Sequence, residues 1–158
     1  MNIERTVQIT TRSEAETEAL GMTLARLLRP GSVVALRGDL AAGKTCLVRG
    51  MARALTGDAA VHSPTFTLVN EYGSPPALYH FDLYRLRGPE ELFALGYEER
   101  FGGTAMAAVE WAERAEPLLP AHRVEIAMRH AGGDIREIRI RDLGCLPEGW
   151  QTALDKHS

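Results

Sequence analysis

Gly38 and Gly43-Lys44-Thr45 bound a GxxxxGKT pattern that follows directly on the apolar run Val33-Val34-Ala35-Leu36. Glycines at these places allow a tight loop whose backbone N–H groups converge, and a helix opening at Lys44 adds the positive end of its dipole to the same concavity. Such a nest suits a triphosphate. Lys44 then reaches the β- and γ-phosphates, and the Thr45 hydroxyl is a ligand for the accompanying Mg²⁺. Gly38, Asp39, Leu40, Ala41, Ala42, Gly43, Lys44 and Thr45, with Cys46 next in the helix, are the candidate nucleotide-binding residues. The lysine is itself informative: of 18 basic residues only Lys44 and Lys156 are lysines, so arginine serves wherever plain positive charge suffices. A compact ammonium acts on phosphate as a point charge, which a planar guanidinium does not imitate.

A phosphate loop supplies half of a nucleotide site, and an acid at the end of a neighbouring strand completes it. Glu110 closes the run Met106-Ala107-Ala108-Val109, and Asp82 closes Ala77-Leu78-Tyr79-His80-Phe81. In an open α/β sheet the C-terminal ends of parallel strands share the edge where ligands bind. Glu110, after the more continuously apolar run, is the first choice for the magnesium shell; Asp82 shares that role or orients the attacking water. The candidate catalytic set is thus Lys44, Asp82 and Glu110, and the candidate metal set Thr45 and Glu110. If the strand ending at Asp82 runs parallel to the loop strand, its antiparallel partner begins near Asp82. That carries Ser63-Pro64-Thr65 to the nucleotide edge, where a hydroxyl-bearing loop can sense the γ-phosphate and Mg²⁺.

Other side chains are less specific. Trp111, directly after Glu110, either packs in the core or a lid or is an exposed contact that reports nucleotide state to a partner. Arg85 and Arg87 are solvated surface or complement phosphate or an acidic partner. His62 and His80 lack metal-ligand spacing and read as structural.

The elements that must position these residues are visible in the pattern. Val7 and Ile9 alternate as a short edge strand, and Ser13-x-x-Glu16 is a capping box before a helix with Leu20, Leu24, Leu27 and Leu28 on one face. Pro30-Gly31 stops that helix, and the helix from Lys44 runs to about Leu55 before Gly57. Val61 to Pro64 is a loop. The β-formers before Tyr72 and the run from Ala77 to Asp82 flank Gly73-Ser74-Pro75-Pro76 as an antiparallel hairpin. Pro89 to Phe101 reads as short helix, with Pro89 near N1 and Gly96 interrupting. Met106 to Val109 suits a strand covered on both faces in a parallel sheet. Arg123 to Arg129 and Ile135 to Arg141 form a second hairpin, and the tail beyond Leu143 carries little signal. The expected fold is α/β: a single-domain P-loop NTPase over residues 1–158, with a mostly parallel mixed sheet flanked by helices, plus antiparallel hairpins.

Composition bounds the function. At 158 residues and 45% hydrophobic the chain builds one core, and its net charge of -3 disfavours independent nucleic-acid binding. Cys46 and Cys145 make neither a disulfide framework nor a zinc site, which fits the reducing cytoplasm. Neither a signal peptide nor a membrane span is expected.

The motifs together resemble a known family. Gly38-Asp39-Leu40-x-Ala42-Gly43-Lys44-Thr45, Ser63-Pro64-Thr65-Phe66-Thr67-Leu68-Val69, Tyr79-His80-Phe81-Asp82-Leu83-Tyr84-Arg85-Leu86, Glu90-Glu91-Leu92 with Gly96, and Val109-Glu110-Trp111 occur in this order. That series is similar to the TsaE (YjeE) family, closely over about residues 33 to 114. The resemblance implies a bacterial ATPase working with TsaB, TsaC and TsaD to make threonylcarbamoyladenosine beside the anticodon of tRNAs that read codons beginning with A. It implies hydrolysis of ATP for a TsaB–TsaD assembly that performs the transfer, with tRNA met only indirectly. On the same resemblance Lys44 and Thr45 serve phosphates and metal, Glu110 serves Mg²⁺, Asp82 serves hydrolysis, Ser63 to Thr67 form a switch-like loop, and Ser13 and its neighbours approach the adenine. Two residues depart from the family pattern. Ala41 stands where glycine is usual and is expected in an αR or bridge conformation. Cys46 stands where Thr or Ser is usual, as a small packed side chain or a thiol acidified by the helix N-terminus. Competing functions are a small-molecule kinase and a nucleotide-gated binding module; a GTPase is disfavoured because the chain has neither an NKxD nor a DxxG element.

Overall fold

In the computed structural model, which describes residues 5–39, 42–57, 61 and 68–157, the Ser13 hydroxyl accepts the Glu16 N–H at 3.1 Å and starts α1 (Glu14–Leu27). The Glu16 carboxylate reaches back to the Arg12 N–H at 3.2 Å, completing the box one residue earlier than the usual pattern. Before it lies β1 (Arg5–Thr11), after it β2 (Val33–Arg37), and α2 (Lys44–Thr56) ends where Gly57 adopts a left-handed conformation. The first hairpin is β3 (Val69–Tyr72) and β4 (Leu78–Asp82), and the second is β6 (Val124–His130) and β7 (Arg136–Asp142). Between them β5 (Met106–Glu110) is buried along its whole length, as its apolar run predicts.

These strands form one sheet in the order β1-β7-β6-β2-β5-β4-β3. Strands β6, β2, β5 and β4 run parallel, while β7, β1 and β3 are antiparallel to their neighbours. The expected mixed α/β sheet is therefore present, with β1 and β3 at its edges. Alternation sends Val34, Leu36, Leu78, Ala108 and Ile126 to one face, where they pack with Leu20, Leu24, Leu47 and Met51 of α1 and α2. Val33, Ala35, Phe81, Ala107 and Val109 point to the other, against Leu92, Ala112 and Ala115.

Helices α1 and α2 approach backbone to backbone. A Cβ on Gly50 would lie 1.9 Å from the Glu18 carbonyl oxygen, and one on Gly21 would lie 2.1 Å from that of Leu47. Only glycine fits either place. The Pro89–Phe101 segment is two short helices, α3 (Glu90–Ala94) and α4 (Tyr97–Arg100), split at Gly96 with φ 66°. Pro89 takes the cap, one place before the expected N1. The tail is more structured than its sequence suggests. Asp142 accepts the N–H groups of Gly144, Cys145 and Leu146 at 3.0, 2.8 and 3.1 Å, and α5 (Trp150–Asp155) follows with Trp150 fully buried. No helix among the described residues is long and apolar enough to cross a membrane.

Candidate functional site

The sheet register puts the candidate acids side by side. Asp82 pairs with Glu110 across β4 and β5, and Leu36, next to the last residue of β2, pairs with the same Glu110. Strand alternation then places His80, Asp82 and Glu110 on the face carrying Leu78, Ala108 and Leu36, the face that α2 covers. The loop after β2 turns into α2 directly above them. Gly43 makes that turn at φ 95°, a left-handed conformation open to glycine with little strain.

Lys44 and Thr45 open α2 and reach the strand ends. The Thr45 hydroxyl donates to Glu110 Oε2 at 3.0 Å, joining the first turn of the helix to the neighbouring strand. Lys44 is buried; its ammonium donates to the Gly38 carbonyl oxygen and lies 3.8 Å from the centre of the Trp111 ring. Burial lowers the lysine's pKa, opposed by the charges of Glu110, Glu113, Asp82 and Asp39. Asp82 is half-buried and accepts the Tyr84 N–H at 3.0 Å. Burial pushes its carboxyl up, against that hydrogen bond, and the Glu110 charge adds to the rise.

A cleft of about 410 Å³ opens here, lined by Ala42, Gly43, Lys44, Thr45, Cys46, Asp82, Glu110 and Trp111 from the expected set. Gly38 contributes its carbonyl to Lys44, while Asp39 is exposed and accepts the Ala42 N–H at 3.1 Å. Leu40 and Ala41 lie outside the described residues, as do His62 and the Ser63 to Thr67 loop. The Leu68 carbonyl accepts the Asp82 N–H at 2.9 Å, so the chain leaving that loop does arrive at the Asp82 edge.

Several open alternatives resolve. The Cys46 thiol donates to the Glu14 carbonyl at 3.2 Å, and burial raises its pKa, so of the two readings it is the small packed side chain. Trp111 is half-buried, takes φ 58°, and packs 4.9 Å from the Tyr84 ring, which is the packing alternative. Arg85 and Arg87 are exposed, and neither lines the cleft. Ser13 serves as the cap of α1, and its neighbour Glu14 lines the cleft.

His80 is more than an isolated structural histidine. It is fully buried, and its Nε2 lies 2.5 Å from Glu110 Oε2, the same oxygen that Thr45 engages. Its signal in the sequence was parity, two residues before Asp82 and hence on the same face. Arg49 and Arg136 also line the cleft; Arg136 donates to the Gly133 and Ile135 carbonyls at 2.8 and 3.0 Å. Arg136 comes from β7, and nothing local to its sequence announces the approach.

The donor set suits a hard cation with a polyphosphate. Thr45 and Glu110 place side-chain oxygens that could hold a cation beside the N-terminus of a 13-residue helix, and Lys44 supplies positive charge. No cluster of three or more His, Cys, Asp or Glu able to hold a metal alone occurs among the described residues.

Comparison with known proteins identifies the family. Residues 11–138 match the family model described as "Threonylcarbamoyl adenosine biosynthesis protein TsaE". The tRNA threonylcarbamoyladenosine biosynthesis protein TsaE of Treponema pallidum is 43% identical over 129 residues, covering 82% of this chain and 96% of that one. Its Bacillus subtilis counterpart is 41% identical over 144 residues, covering 90% and 89%. The crystal structure of Bacillus subtilis YdiB superposes with a TM-score of 0.74 at 31% identity, covering 99% of this chain and 97% of that one.

Proposed function

The chain belongs to the TsaE family of tRNA threonylcarbamoyladenosine biosynthesis, and from that premise we propose that it is a cytoplasmic Mg-dependent ATPase coupled to a TsaB–TsaD assembly. The observation that carries the reading is the Thr45–Glu110 hydrogen bond, which joins the phosphate-loop helix to the acid at the end of the adjacent strand. The N–H groups at the start of α2 and the Lys44 ammonium bind the phosphates. Thr45 and Glu110 would hold the cation, which would supply positive charge against the charge that develops on the phosphate oxygens. To reach phosphate, Lys44 exchanges its bond to the Gly38 carbonyl for phosphate oxygens. Asp82, on the same face, orients the attacking water, and Trp111, packed against the Tyr84 ring, walls the cleft beside Lys44. The transfer itself belongs to the partner assembly, TsaC stands upstream in the pathway, and tRNA is met through the partners.

Reconstituted tRNA modification with TsaB, TsaC and TsaD, with and without this chain, is the direct test. Glu110→Ala is expected to bind ATP and to dock, yet to lose phosphate release and repeated rounds of modification. Full support of modification by that variant would instead make nucleotide-gated docking the function. Appearance of a phosphorylated small acceptor in place of free phosphate would make the chain a kinase.

A further inference from the structure

We propose that His80 is a positioning residue for Glu110, holding the carboxylate in its metal-binding orientation before the cation arrives. The inference rests on the nucleotide reading above and adds a residue that this reading leaves without a role. His80 and Glu110 are both almost wholly enclosed, at 0% and 3% exposure, and Nε2 lies 2.5 Å from Oε2. A buried carboxylate on a strand end has rotamers to choose from, and two donors converging on one oxygen leave it a single orientation. Thr45 is one donor, at 3.0 Å, but its hydroxyl is also the expected cation ligand. His80 is the donor to that oxygen with no ligand task of its own.

The other ring nitrogen decides the tautomer. Nδ1 is buried with no hydrogen-bond partner among the described residues. Were Nδ1 to carry the hydrogen, a buried N–H would go unpaired while Nε2 turned a lone pair toward a carboxylate oxygen. With the hydrogen on Nε2, that N–H donates to Glu110, and Nδ1 is left with a lone pair, the less costly orphan. Histidine ligands of metals are oriented by carboxylates in many sites; here a histidine orients a carboxylate by the same principle of outer support. The β4–β5 register makes the arrangement possible, because His80 sits opposite Ala108, whose small side chain leaves room for the ring to lean toward Glu110.

The experiment uses the full-length chain and a fluorescent N-methylanthraniloyl ADP, titrated with MgCl₂ and, separately, in EDTA. His80→Leu is expected to raise the Mg²⁺ concentration that half-maximally tightens nucleotide binding by about tenfold to a hundredfold. Affinity in EDTA should change by less than about threefold, since phosphate contacts are untouched. His80→Gln, whose amide nitrogen reaches as far as Nε2, should restore most of the Mg²⁺ response, whereas the shorter His80→Asn should not. An unchanged Mg²⁺ midpoint in His80→Leu, or equal behaviour of the Gln and Asn variants, would overturn the proposal. If His80→Leu does not fold, the Gln and Asn pair decides it. Wild-type protein that binds no nucleotide at any Mg²⁺ concentration would instead overturn the functional reading and the inference together.

Discussion

At the C-terminal edge of β2, β5 and β4 the charged groups are enclosed, with Lys44 at 4% and Glu110 at 3% exposure. On the other side of β2, toward β6, a second set of charges keeps more contact with water, although Arg37, Arg123 and Glu125 are still partly enclosed, at 27%, 17% and 15% side-chain exposure. Arg37 donates to Glu125 at 2.8 Å, Arg123 to the same carboxylate at 2.5 Å, and both arginines also pair with Glu116, itself half exposed. Burying a charge costs several kcal/mol before any partner compensates, so the enclosed set holds its geometry at the expense of stability. The more open set stays partly hydrated, loses less, and contributes a little. The difference separates charges placed to act on a ligand from charges placed to tie strands together.

The comparison breaks most visibly at Lys44. Lys44→Ala removes a charge-assisted contact to phosphate worth about 3 kcal/mol, so nucleotide affinity should fall by about a hundredfold, read by calorimetric titration with ADP. Unchanged affinity would mean that the enclosed charges do not serve a nucleotide.

That loop was the most legible part of the chain, because GxxxxGKT, the strand before it and the helix after it are contiguous. Asp82 and Glu110 were legible as strand ends, but their adjacency is a property of register, Asp82 opposite Glu110, which no local pattern states. His80 was half legible: its parity with Asp82 is in the sequence, while its meeting with Glu110 depends on β4 lying beside β5. Arg136 was not legible, since it reaches the cleft only because the second hairpin pairs with β2 through β6. The tail carried little signal for a similar reason: the burial of Trp150 depends on α5 packing against α1 and β1.

The open set should respond differently. Burial pushes the Glu125 carboxyl up, but hydrogen bonds from Arg37 and Arg123 outweigh it and hold the group below its ordinary value. A depressed folded-state pKa contributes stability that is present above the unfolded value and lost as pH falls through the folded one. Glu125→Gln should therefore cost about 1 kcal/mol at pH 7, a Tm lower by about 2–4 °C for a chain this size. The gap from wild type should close as pH drops below about 4. A gap that persists at low pH in calorimetric scans would place the loss in packing and remove the electrostatic account of this region.

Glu110→Gln gives the smallest shift and the sharpest contrast. The amide keeps the shape and an oxygen that can accept from His80 and Thr45, so neither of those donors is stranded. It removes a carboxylate whose desolvation the site had to offset, while depriving Lys44 of an opposite charge. These terms oppose each other, and Tm should stay within about 2 °C of wild type or rise, although the Mg²⁺ response of nucleotide binding is lost. A fall in Tm larger than that of Glu125→Gln would show Glu110 to be a stabilising partner. A flat or raised Tm with a lost Mg²⁺ response identifies a charge held at the strand end for the ligand, at no benefit to the fold.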